Sequence, residues 1–482
     1  MKQTEVCVIG SGPGGYVAAI KAAQLGKKVL VIDRDKVGGV CLNCGCIPSK
    51  ALITAAGFYD KMQNGAAEMG ITAGKTSVDM TKLQTWKQGV VNKLTGGVGQ
   101  LLKANGCEYM TGEAKFKSPK ELEVKTADGK TEVIQATSFI IATGSRPIEI
   151  PGFAFDQKNV LSSTEALSLD DLPKRLAVIG GGYIGLEIGS FYQKFGVEVT
   201  IIEATKGILT GVVDSDCSQV VARKLKKKGV NIIVNAKAIS FKKSGSDLSV
   251  TISVDGKEQT VATDKILVTV GRKPNSDQLG LSAIGLKIDA KGFIQVDKQL
   301  RTNISHIFAI GDIAGQPMLA HKASREGIIA AEVIAGKNVV MDVKTIPAVI
   351  FTDPEIASAG MTVEEAQSKG FEVKVGQFPY AANGRALSML ESEGFVKIVT
   401  DKKNNVVLGV HIVGGEASQV ISEAALAIEM GATAEDIAST IHPHPTLPEM
   451  MMEAAEAALG HPIHIFVKPD RERPLRPTSP PR

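Results

Sequence analysis

The sequence predicts an α/β protein built from two similar parallel-sheet units and a separate C-terminal α+β domain. The first observation behind this prediction is an internal repeat, in which four landmarks recur 170 residues further along the chain. The two sets are Gly10, Gly12, Gly15 and Asp33, and Gly180, Gly182, Gly185 and Glu203. The second observation is a change of pattern after Pro347, where alternating strands precede a helical pattern over 418–430 that Gly431 ends.

Each repeat has the order of parts that binds a dinucleotide. An apolar strand, over 6–9 or 176–179, enters a G-x-G-x-x-G turn, an amphipathic helix follows, and a second strand ends in the acidic residue. The glycines permit a tight turn and close approach of a pyrophosphate, the helix N-terminus offers N–H groups, and the carboxylate accepts hydrogen bonds from ribose hydroxyls. Two such repeats predict two Rossmann-like nucleotide sites. The alternative is that the glycines serve only ordinary turns.

A cysteine-rich run at 38–50, shortly after the first repeat, contains Cys41, Cys44 and Cys46. Its position beside a nucleotide turn indicates a redox-active disulfide between Cys41 and Cys46 next to a flavin. On an ideal helix these two residues are separated by roughly 7.5 Å along the axis, so a bond between them needs a distorted turn. The alternatives are a structural disulfide and a zinc site, which the number and spacing of the cysteines disfavour.

The remaining cysteines are interpreted as structural. Cys44 either competes for one member of the pair or packs as a small apolar side chain, and we expect packing because the helix turn aims it away from the flavin. Cys7, Cys107 and Cys217 lie outside the run.

The composition argues against several classes of function. The 482 residues carry 55 basic and 51 acidic side chains, and the formal net charge of +4 gives no electrostatic case for a nucleic acid or a membrane as partner. Six cysteines are too few for a secreted disulfide scaffold and fit a reducing compartment. Residues 1–9 lead directly into an apolar strand, and no run approaches the ~20 apolar residues that span a bilayer. We therefore expect a cytoplasmic protein without a targeting segment, and we expect no metal.

Two strand exits, at 143–147 and 271–274, look like the two crossings of a domain boundary. The simplest arrangement inserts the second nucleotide unit into the first. The expected parts are the first nucleotide domain (1–150), the inserted domain (151–275), the second part of the first domain (276–345), the C-terminal domain (346–467) and a basic, proline-rich tail (468–482). We expect the tail to be disordered and assign it no role.

The motifs together resemble those of the flavoprotein disulfide reductases, over about residues 4–464. The resemblance is carried by the cysteine run 38–50 and by the segments 142–144, 180–187, 309–312, 318–322, 352–355 and 442–449. The match is strongest to members that oxidise protein-bound dihydrolipoamide. One departure is Cys44, where the family usually has an apolar residue.

The resemblance implies that FAD occupies the first nucleotide domain and NAD the inserted one. The implied FAD site consists of Gly10, Gly12, Gly15, Asp33, Lys50, Thr143, Gly144, Ser145, Gly311, Asp312, Met318, Leu319, Ala320 and His321. The implied NAD site consists of Gly180, Gly182, Tyr183, Gly185, Glu203, Val270 and Gly271. Glu203 suits a free ribose diol and would repel a 2′-phosphate, which favours NAD over NADP. Tyr183 is either a gate over the flavin or a packing residue.

The resemblance also implies the catalytic roles. Cys46 is the thiol next to the flavin, and Cys41 is the outer thiol that exchanges with substrate. Because thiolate is the attacking species, a base is needed, and the family pattern assigns it to His444, with Glu449 on the other ring nitrogen. Glu449 also fits a capping box with Thr446, and one carboxylate can serve both purposes.

Two further assignments concern charge near the flavin and a second histidine. Lys50, four residues after Cys46, is implied as a cation beside the reduced flavin, paired with Glu187. The alternative for Lys50 is a solvated surface lysine. His442 is interpreted as structural.

The expected function is oxidation of dihydrolipoamide through the cysteine pair and FAD, with NAD as acceptor. The implied assembly is a homodimer in which the His444 loop serves the cysteines of the other subunit. The implied partners are lipoyl domains and the acyltransferase core of 2-oxoacid dehydrogenase complexes, or the H protein of glycine cleavage. The alternatives are a flavin reductase of another disulfide or metal, and a non-catalytic scaffold subunit.

Overall fold

Contacts between residues divide the chain into two compact units. The computed structural model describes residues 1–245 and 247–466. The first unit comprises Met1–Leu209 and Lys226–Asp342, and the second comprises Thr210–Leu225 and Val343–Arg482. The tail 468–482, for which we expect disorder, lies outside the described residues.

The first unit contains a six-stranded sheet, a five-stranded parallel sheet and two smaller antiparallel sheets. Its strands are β1 (Lys2–Ile9), β2 (Val29–Asp33), β3 (Glu108–Ser118), β4 (Glu121–Thr126), β5 (Thr131–Ile141), β6 (Ser145–Pro147), β7 (Val160–Leu161), β8 (Arg175–Ile179), β9 (Glu198–Ile202), β10 (Asn231–Ile233), β11 (Ala236–Ser244), β12 (Asp247–Val254), β13 (Lys257–Thr263), β14 (Lys265–Val268), β15 (Arg272–Pro274) and β16 (Ile307–Ala309). Its helices are α1 (Pro13–Gln24), α2 (Gly39–Cys44), α3 (Cys46–Asp60), α4 (Met80–Ala104), α5 (Ser163–Ala166), α6 (Tyr183–Lys194) and α8 (Ala320–Ile334), while α7 (Ser215–Lys227) belongs to both units.

Both larger sheets have the strand order of a nucleotide-binding fold. In the first sheet the parallel strands run in the order β3-β2-β1-β5-β16, and β4 pairs antiparallel with β3 and β5. In the second the order is β10-β9-β8-β14-β7. The chain order reverses beside β1 and beside β8, and ligands of such sheets bind outside the carboxyl ends of the strands at these switch points. Both glycine turns lie there.

The unbroken apolar runs of the sequence correspond to strands that are covered on both faces. Residues 6–9 of β1 are all buried, as expected for a central parallel strand. Helices α1 and α8 pack through small residues, and a Cβ added to Gly327 would lie 2.6 Å from the carbonyl oxygen of Gly14. This close packing fixes the helix that follows the first glycine turn.

Several local predictions are confirmed. The hairpin around 127–129 is formed by β4 and β5, and the helical pattern over 84–102 is part of α4, which the side chain of Asp79 caps. The helix predicted over 418–430 begins at Ala417 and ends at Met430, and the following Gly431 caps it with a φ of +68°.

The second unit is built on an antiparallel five-stranded sheet. Its strands are β17 (Ala348–Ile350), β18 (Glu355–Gly360), β19 (Val373–Pro379), β20 (Phe395–Asp401) and β21 (Val407–Gly414), and its further helices are α9 (Val363–Ser368), α10 (Gly384–Ser388), α11 (Ala417–Met430), α12 (Ala434–Ser439) and α13 (Glu449–Leu459). The spatial order is β17-β18-β21-β20-β19. The core of this unit lies between the sheet and helices α11 and α13. The sequence prediction of an α+β fold here is confirmed.

One helical stretch of the described residues, Gly39–Met69, is by length and composition apolar enough to cross a membrane. Length and composition do not distinguish a spanning helix from a packed one. Lys50 lies within this stretch and forms an ion pair with the buried Glu187 of α6. This pairing is typical of a helix packed inside a folded domain.

Candidate functional site

The first glycine turn joins β1 to α1, and its backbone requires glycine at two positions. Gly10 has a φ of +101°, and a Cβ there would lie 2.3 Å from the carbonyl oxygen of Ala142. A Cβ on Gly15 would lie 1.9 Å from the carbonyl oxygen of Gly10. By contrast, a Cβ on Gly12 would meet no atom within 4 Å. The turn is therefore closed against the sheet and open beside the N-terminus of α1.

Asp33 lies at the end of β2 and closes this turn from the side. Its carboxylate accepts hydrogen bonds from the backbone N and from Oγ of Ser11, both at 2.6 Å, and from the backbone N of Asp35 at 3.0 Å. These bonds hold the carboxylate next to the turn, as the sequence predicts for a ribose-binding acid. Ser11 was not predicted, since its role depends on the distance across the turn.

The second turn, between β8 and α6, repeats this geometry. Gly180 has a φ of +106°, and a Cβ there would lie 2.7 Å from the carbonyl oxygen of Thr269, whereas a Cβ on Gly182 would meet nothing within 4 Å. Glu203 accepts hydrogen bonds from the backbone N of Gly181 at 2.6 Å and of Thr205 at 2.7 Å. The remaining predicted residues of this site are placed at the same edge, because Val270 and Gly271 follow β14, the neighbour of β8.

The predicted residues 143–145 and Asp312 converge beyond the ends of β5 and β16. Oγ of Ser145 donates to the Asp312 carboxylate at 2.5 Å, and Thr143 and Gly144 are linked through hydrogen bonds to Asn275. Arg272 donates to both Oγ and the backbone oxygen of Ser145. In the sequence Arg272 belongs to a strand exit at a predicted domain boundary, and its contact with Ser145, 127 residues away, has no signal in the motif.

The segment 318–321 leads into the N-terminus of α8. Leu319 is the N-cap, Ala320 is the first helical residue, Met318 donates its backbone N to Gln316, and His321 is exposed. The buried Glu326 of the same helix accepts a hydrogen bond from the backbone N of Gly311 at 2.6 Å. This carboxylate fixes the Gly311 turn and was missed, because a glutamate in a helix carries no recognisable signal.

Cys41 and Cys46 lie on either side of a helix break. Helix α2 ends at Cys44, Gly45 has φ −135° and ψ −110°, and α3 begins at Cys46. A Cβ on Gly45 would lie 2.9 Å from the carbonyl oxygen of Val40, so this break requires glycine. The distortion that a bond between the two cysteines needs is therefore present.

The side chains of Cys41 and Cys46 lie within hydrogen-bond distance of each other. The hydrogen bond from Cys41 lowers the pKa of the Cys46 thiol to about 7, and the nearby charge of Lys50 acts in the same direction. The same hydrogen bond, together with burial, raises the pKa of Cys41. The contact therefore favours the thiolate at Cys46 over the thiolate at Cys41.

The predicted pair of Lys50 and Glu187 is present, with 2.7 Å between Nζ and Oε2. The side chain of Glu187 is buried, so the lysine is not a solvated surface residue but neutralises a buried charge. Tyr183 lies one residue beyond Gly182, and burial raises the pKa of its phenol. Both interpretations of Tyr183 fit this position.

Cys44 is partly buried and forms a hydrogen bond with Thr164 of α5. Burial raises the pKa of its thiol, and the Thr164 contact opposes this only in part. If Cys44 competed for one member of the redox pair, its thiol would contact Cys41 or Cys46. It contacts the hydroxyl group of Thr164 instead. Cys7, Cys107 and Cys217 are buried.

His444 and Glu449 lie together in the second unit. His444 Nδ1 is 2.8 Å from Glu449 Oε1, and the backbone N of Thr446 donates to Glu449 Oε2 at 2.7 Å. The Glu449 carboxylate, at the first residue of α13, therefore orients the imidazole and accepts the Thr446 N–H. The predicted capping box is not complete, because the Thr446 hydroxyl donates to the backbone oxygen of Pro443. Burial raises the pKa of Glu449, but the bonds from Thr446 and His444 outweigh it and the net shift is downward. The imidazole is 80 % exposed, and among the described residues its hydrogen bond runs through Nδ1 to Glu449, which leaves Nε2 available to solvent or substrate.

His442 differs from His444 in the hydrogen bonds of its ring nitrogens and in the exposure of its side chain. Its Nδ1 lies 2.8 Å from the backbone oxygen of Thr440 and its Nε2 lies 2.9 Å from Glu423, and the side chain is 5 % exposed. Both nitrogens are engaged, which agrees with a structural role. No group of three or more His, Cys, Asp and Glu suited to a metal occurs within residues 1–245 and 247–466.

Both glycine turns leave room for the pyrophosphate of a dinucleotide. Side chains of the described residues do not cap α1 or α6, and the space beside Gly12 and Gly182 is open, so N–H groups at both helix ends can face a pyrophosphate. The acid at the end of each second strand is already held at the turn. Both turns can therefore bind a dinucleotide.

Sequence comparison identifies the class. Residues 4–327 match the family model described as pyridine nucleotide-disulphide oxidoreductase, and residues 346–455 match the dimerisation domain of the same family. The chain belongs to the pyridine nucleotide-disulfide oxidoreductases, FAD-dependent and NAD-linked enzymes whose C-terminal domain forms homodimers.

The relatives point to one member of this class. The chain is 50% identical over 466 residues to dihydrolipoyl dehydrogenase of Geobacillus stearothermophilus, with 97% of this chain and 98% of that protein covered. It is 52% identical over 464 residues to dihydrolipoyl dehydrogenase of Bacillus subtilis, with 96% and 98% covered. Among solved structures, LpdA from Mycobacterium tuberculosis has a TM-score of 0.88 at 28% identity, covering 95% of this chain and 99% of that one. The HOCl-induced flavoprotein disulfide reductase RclA of Escherichia coli, as its Cu(II) complex, has a TM-score of 0.85 at 27% identity, covering 95% and 99%.

Proposed function

We propose that this protein oxidises dihydrolipoamide to lipoamide and passes the electrons to NAD⁺. The observation that carries the proposal is the pair of Cys41 and Cys46, which share a hydrogen bond across the helix break at Gly45 and follow β2 of the first nucleotide-binding unit. The relatives at about 50% identity bear the name dihydrolipoyl dehydrogenase, which supports this substrate.

The sulfur chemistry begins from the oxidised pair. One thiolate of dihydrolipoamide attacks Sγ of Cys41, the Cys41–Cys46 bond breaks, and Cys46 leaves as thiolate, which its lowered pKa favours. The second substrate thiolate then attacks the substrate sulfur bound to Cys41, so lipoamide leaves and Cys41 is released as a thiol or thiolate. Two electrons have moved from substrate to the cysteine pair.

The residues of the two turns hold the electron carriers. For FAD we propose the residues given above for the first domain, with Asp33 at the adenosine ribose and Asp312 at the ribitol; for NAD we propose those of the inserted domain, with Glu203 at the ribose diol. FAD held by these residues would supply the redox chemistry that links the cysteine pair to NAD⁺. Lys50, paired with Glu187, offers a cation close to Cys46 and helps to hold its thiolate.

His444 is the proposed base. Its Nε2 takes the proton of the first substrate thiol, passes it to solvent, and then takes the proton of the second, while Glu449 orients the ring through Nδ1. We further propose that in the homodimer the base is supplied by the other subunit. The proposed partners are lipoyl domains attached to the acyltransferase core of a 2-oxoacid dehydrogenase complex, or the lipoyl-bearing H protein of glycine cleavage.

We also propose the domain limits 1–150 and 276–345 for the FAD domain, 151–275 for the NAD domain and 346–467 for the dimerisation domain. The two sheets, the pairing of β6 with β15 and the family matches at 4–327 and 346–455 support this division.

The test of the proposal is His444→Gln. We expect turnover of dihydrolipoamide with NAD⁺ to fall by at least about a hundredfold, because a general base contributes roughly 10²–10⁴. Reduction of the bound flavin by NADH, followed in a stopped-flow spectrometer, should stay within about twofold. His442→Gln is the matched control, since it removes a neighbouring imidazole and should retain turnover. Proportional loss of both reactions in His444→Gln would contradict the assignment.

Mixed dimers test the origin of the base. Cys41→Ser and His444→Gln subunits are each inactive, but a heterodimer of the two contains one intact set if the base acts on the other subunit. Co-expression with two affinity tags should yield heterodimers with about half of the wild-type turnover. Inactive heterodimers would show that the base acts within its own chain.

A further inference from the structure

A buried asparagine, Asn383, lies between the C-terminal sheet and the loop that carries His444. Its side chain is 6 % exposed and is held between the short helical turn Tyr380–Ala382 and α10. Its Oδ1 accepts from the backbone N of Ala386 at 2.9 Å, and its Nδ2 donates to the backbone oxygen of Thr446 at 3.0 Å. The orientation of the amide is fixed, because an N–H can only donate and a carbonyl oxygen can only accept.

Thr446 is the residue through which the base loop is shaped. Its backbone N bonds Glu449, its hydroxyl bonds the backbone oxygen of Pro443 at 2.6 Å, and its backbone oxygen takes the amide of Asn383. The first two bonds lie within the loop, at separations of three residues. The bond from Asn383 crosses 63 residues and is the contact among these three that ties the loop to the folded domain.

Both ends of this contact belong to one packed core. Tyr380 and Ala386, on either side of Asn383, are fully buried, and Leu447 and Met450, on either side of Glu449, are buried in the same cluster. The amide is therefore a rigid anchor, whereas His444 itself is exposed. An exposed imidazole that must reach a substrate needs such an anchor, because an error of about 1 Å in the position of a catalytic group can cost roughly 10²-fold in rate.

We infer that Asn383 is a positioning residue for the base, acting through Thr446 and Glu449 on His444. This inference rests on the proposed role of His444. The chain of contacts runs from the Asn383 amide to the Thr446 carbonyl, from the Thr446 N–H to Glu449 Oε2, and from Glu449 Oε1 to His444 Nδ1.

The test is Asn383→Asp in the FAD-loaded dimer. A carboxylate retains the cap on α10, because it accepts from Ala386 as the amide oxygen does, but it cannot donate to Thr446. Asn383→Ser is the second variant, since serine also caps a helix and is too short to reach Thr446. Thr362→Ala is the control, because it removes the cap of α9 in the same unit without touching the loop.

For both Asn383 variants we expect a fall of about 10- to 100-fold in kcat with dihydrolipoamide and an unchanged KM for NAD⁺. NADH-driven reduction of ferricyanide, which does not need the base, should stay within twofold. Hydrogen–deuterium exchange of peptides covering 440–449 should become faster in the Asn383 variants and stay unchanged in Thr362→Ala.

Wild-type kcat and wild-type exchange in both Asn383 variants would overturn the inference, and so would an equal loss of lipoamide and ferricyanide turnover. His444→Gln, measured in parallel, separates the two proposals. If it remains active, the role of His444 itself fails. If it is inactive while Asn383→Asp is fully active, only the positioning role fails.

Discussion

The two glycine turns have similar backbone conformations, but different side chains fill the space between each turn and its acidic residue. In the first turn the residue after Gly10 is Ser11, whose N and Oγ both reach the short carboxylate of Asp33. In the second it is Gly181, where a Cβ would lie 3.0 Å from Oε2 of the longer Glu203. The longer acid fills the space that the serine side chain fills in the first turn. The length of the acidic side chain and the size of the residue after the first glycine therefore compensate for each other.

The two turns also differ in what surrounds them. The first is completed by distant segments, since Gly311 and Asp312 follow β16, and α8 packs against α1 through Gly327. The second is completed mainly by its own sheet, with Thr269 above the turn and Val270 half exposed. A site enclosed by distant segments suits a permanently bound cofactor, and one formed mainly by its own sheet suits a substrate that exchanges in every turnover.

The largest difference between the turns should appear on adding a methyl group to the third glycine. In Gly15→Ala the Cβ would lie 1.9 Å from a carbonyl oxygen, and we expect a loss of about 3 kcal/mol in the free energy of unfolding and purification without FAD. In Gly185→Ala the nearest atom is 2.4 Å away, and we expect FAD to be retained while KM for NADH rises at least about tenfold. Urea unfolding, absorbance near 450 nm and steady-state kinetics measure the three quantities.

A glycine without neighbours is the control for this pair. Gly89 lies in the middle of α4, and a Cβ there meets nothing within 4 Å. Gly89→Ala should raise the free energy of unfolding by about 0.5–1 kcal/mol, because alanine loses less backbone entropy. Identical behaviour of the Gly15 and Gly185 variants would remove the distinction between a closed and an open site.

A smaller effect is expected from exchanging the acid and its neighbour. Glu203→Asp withdraws the carboxylate from the N–H of Gly181, and loss of this bond of about 1.5 kcal/mol should weaken NADH binding roughly tenfold. Gly181→Ser alone crowds Glu203 and should also weaken binding. The double variant recreates the Ser–Asp pair of the first turn, so we expect it to bind NADH more tightly than the sum of the single effects predicts. Strict additivity in fluorescence titrations would show that the two positions are independent.

The smallest expected effect concerns thiols that follow the two turns. The pKa of Cys46 is lowered, so its thiolate is present above about pH 7 and is lost as the pH falls through that value. Burial raises the pKa of Cys217, which lies in the corresponding part of the second repeat. In the NADH-reduced protein, iodoacetamide should label the pair of Cys41 and Cys46 with a midpoint near pH 7 and leave Cys217 unlabelled up to pH 9.

The contribution of the lysine can be measured in the same experiment. Lys50→Met removes the charge that favours the Cys46 thiolate, so the labelling midpoint should move upward. Peptide mass spectrometry after quenching gives both midpoints. A midpoint above pH 8 in the unmodified protein would contradict a thiolate at Cys46.

The sequence by itself determined the two turns, because a positive φ at Gly10 and Gly180 and the lack of room at Gly15 and Gly185 are local constraints. It also indicated the break between Cys41 and Cys46 and the link between Thr446 and Glu449, each visible as a residue type at a fixed short spacing. The choice of His444 over His442 as the base came from the family resemblance.

Only the tertiary structure decided which side chains meet across long separations. The contact of Arg272 with Ser145 spans 127 residues, that of Lys50 with Glu187 spans 137, and that of Asn383 with Thr446 spans 63. For Lys50 and Glu187 a resemblance supplied the pairing, whereas Arg272, Glu326 and Asn383 carried no sequence signal. The physical reason is that backbone conformation is set by neighbouring residues, while the partner of a buried polar group is whichever group the packed elements bring within about 3 Å.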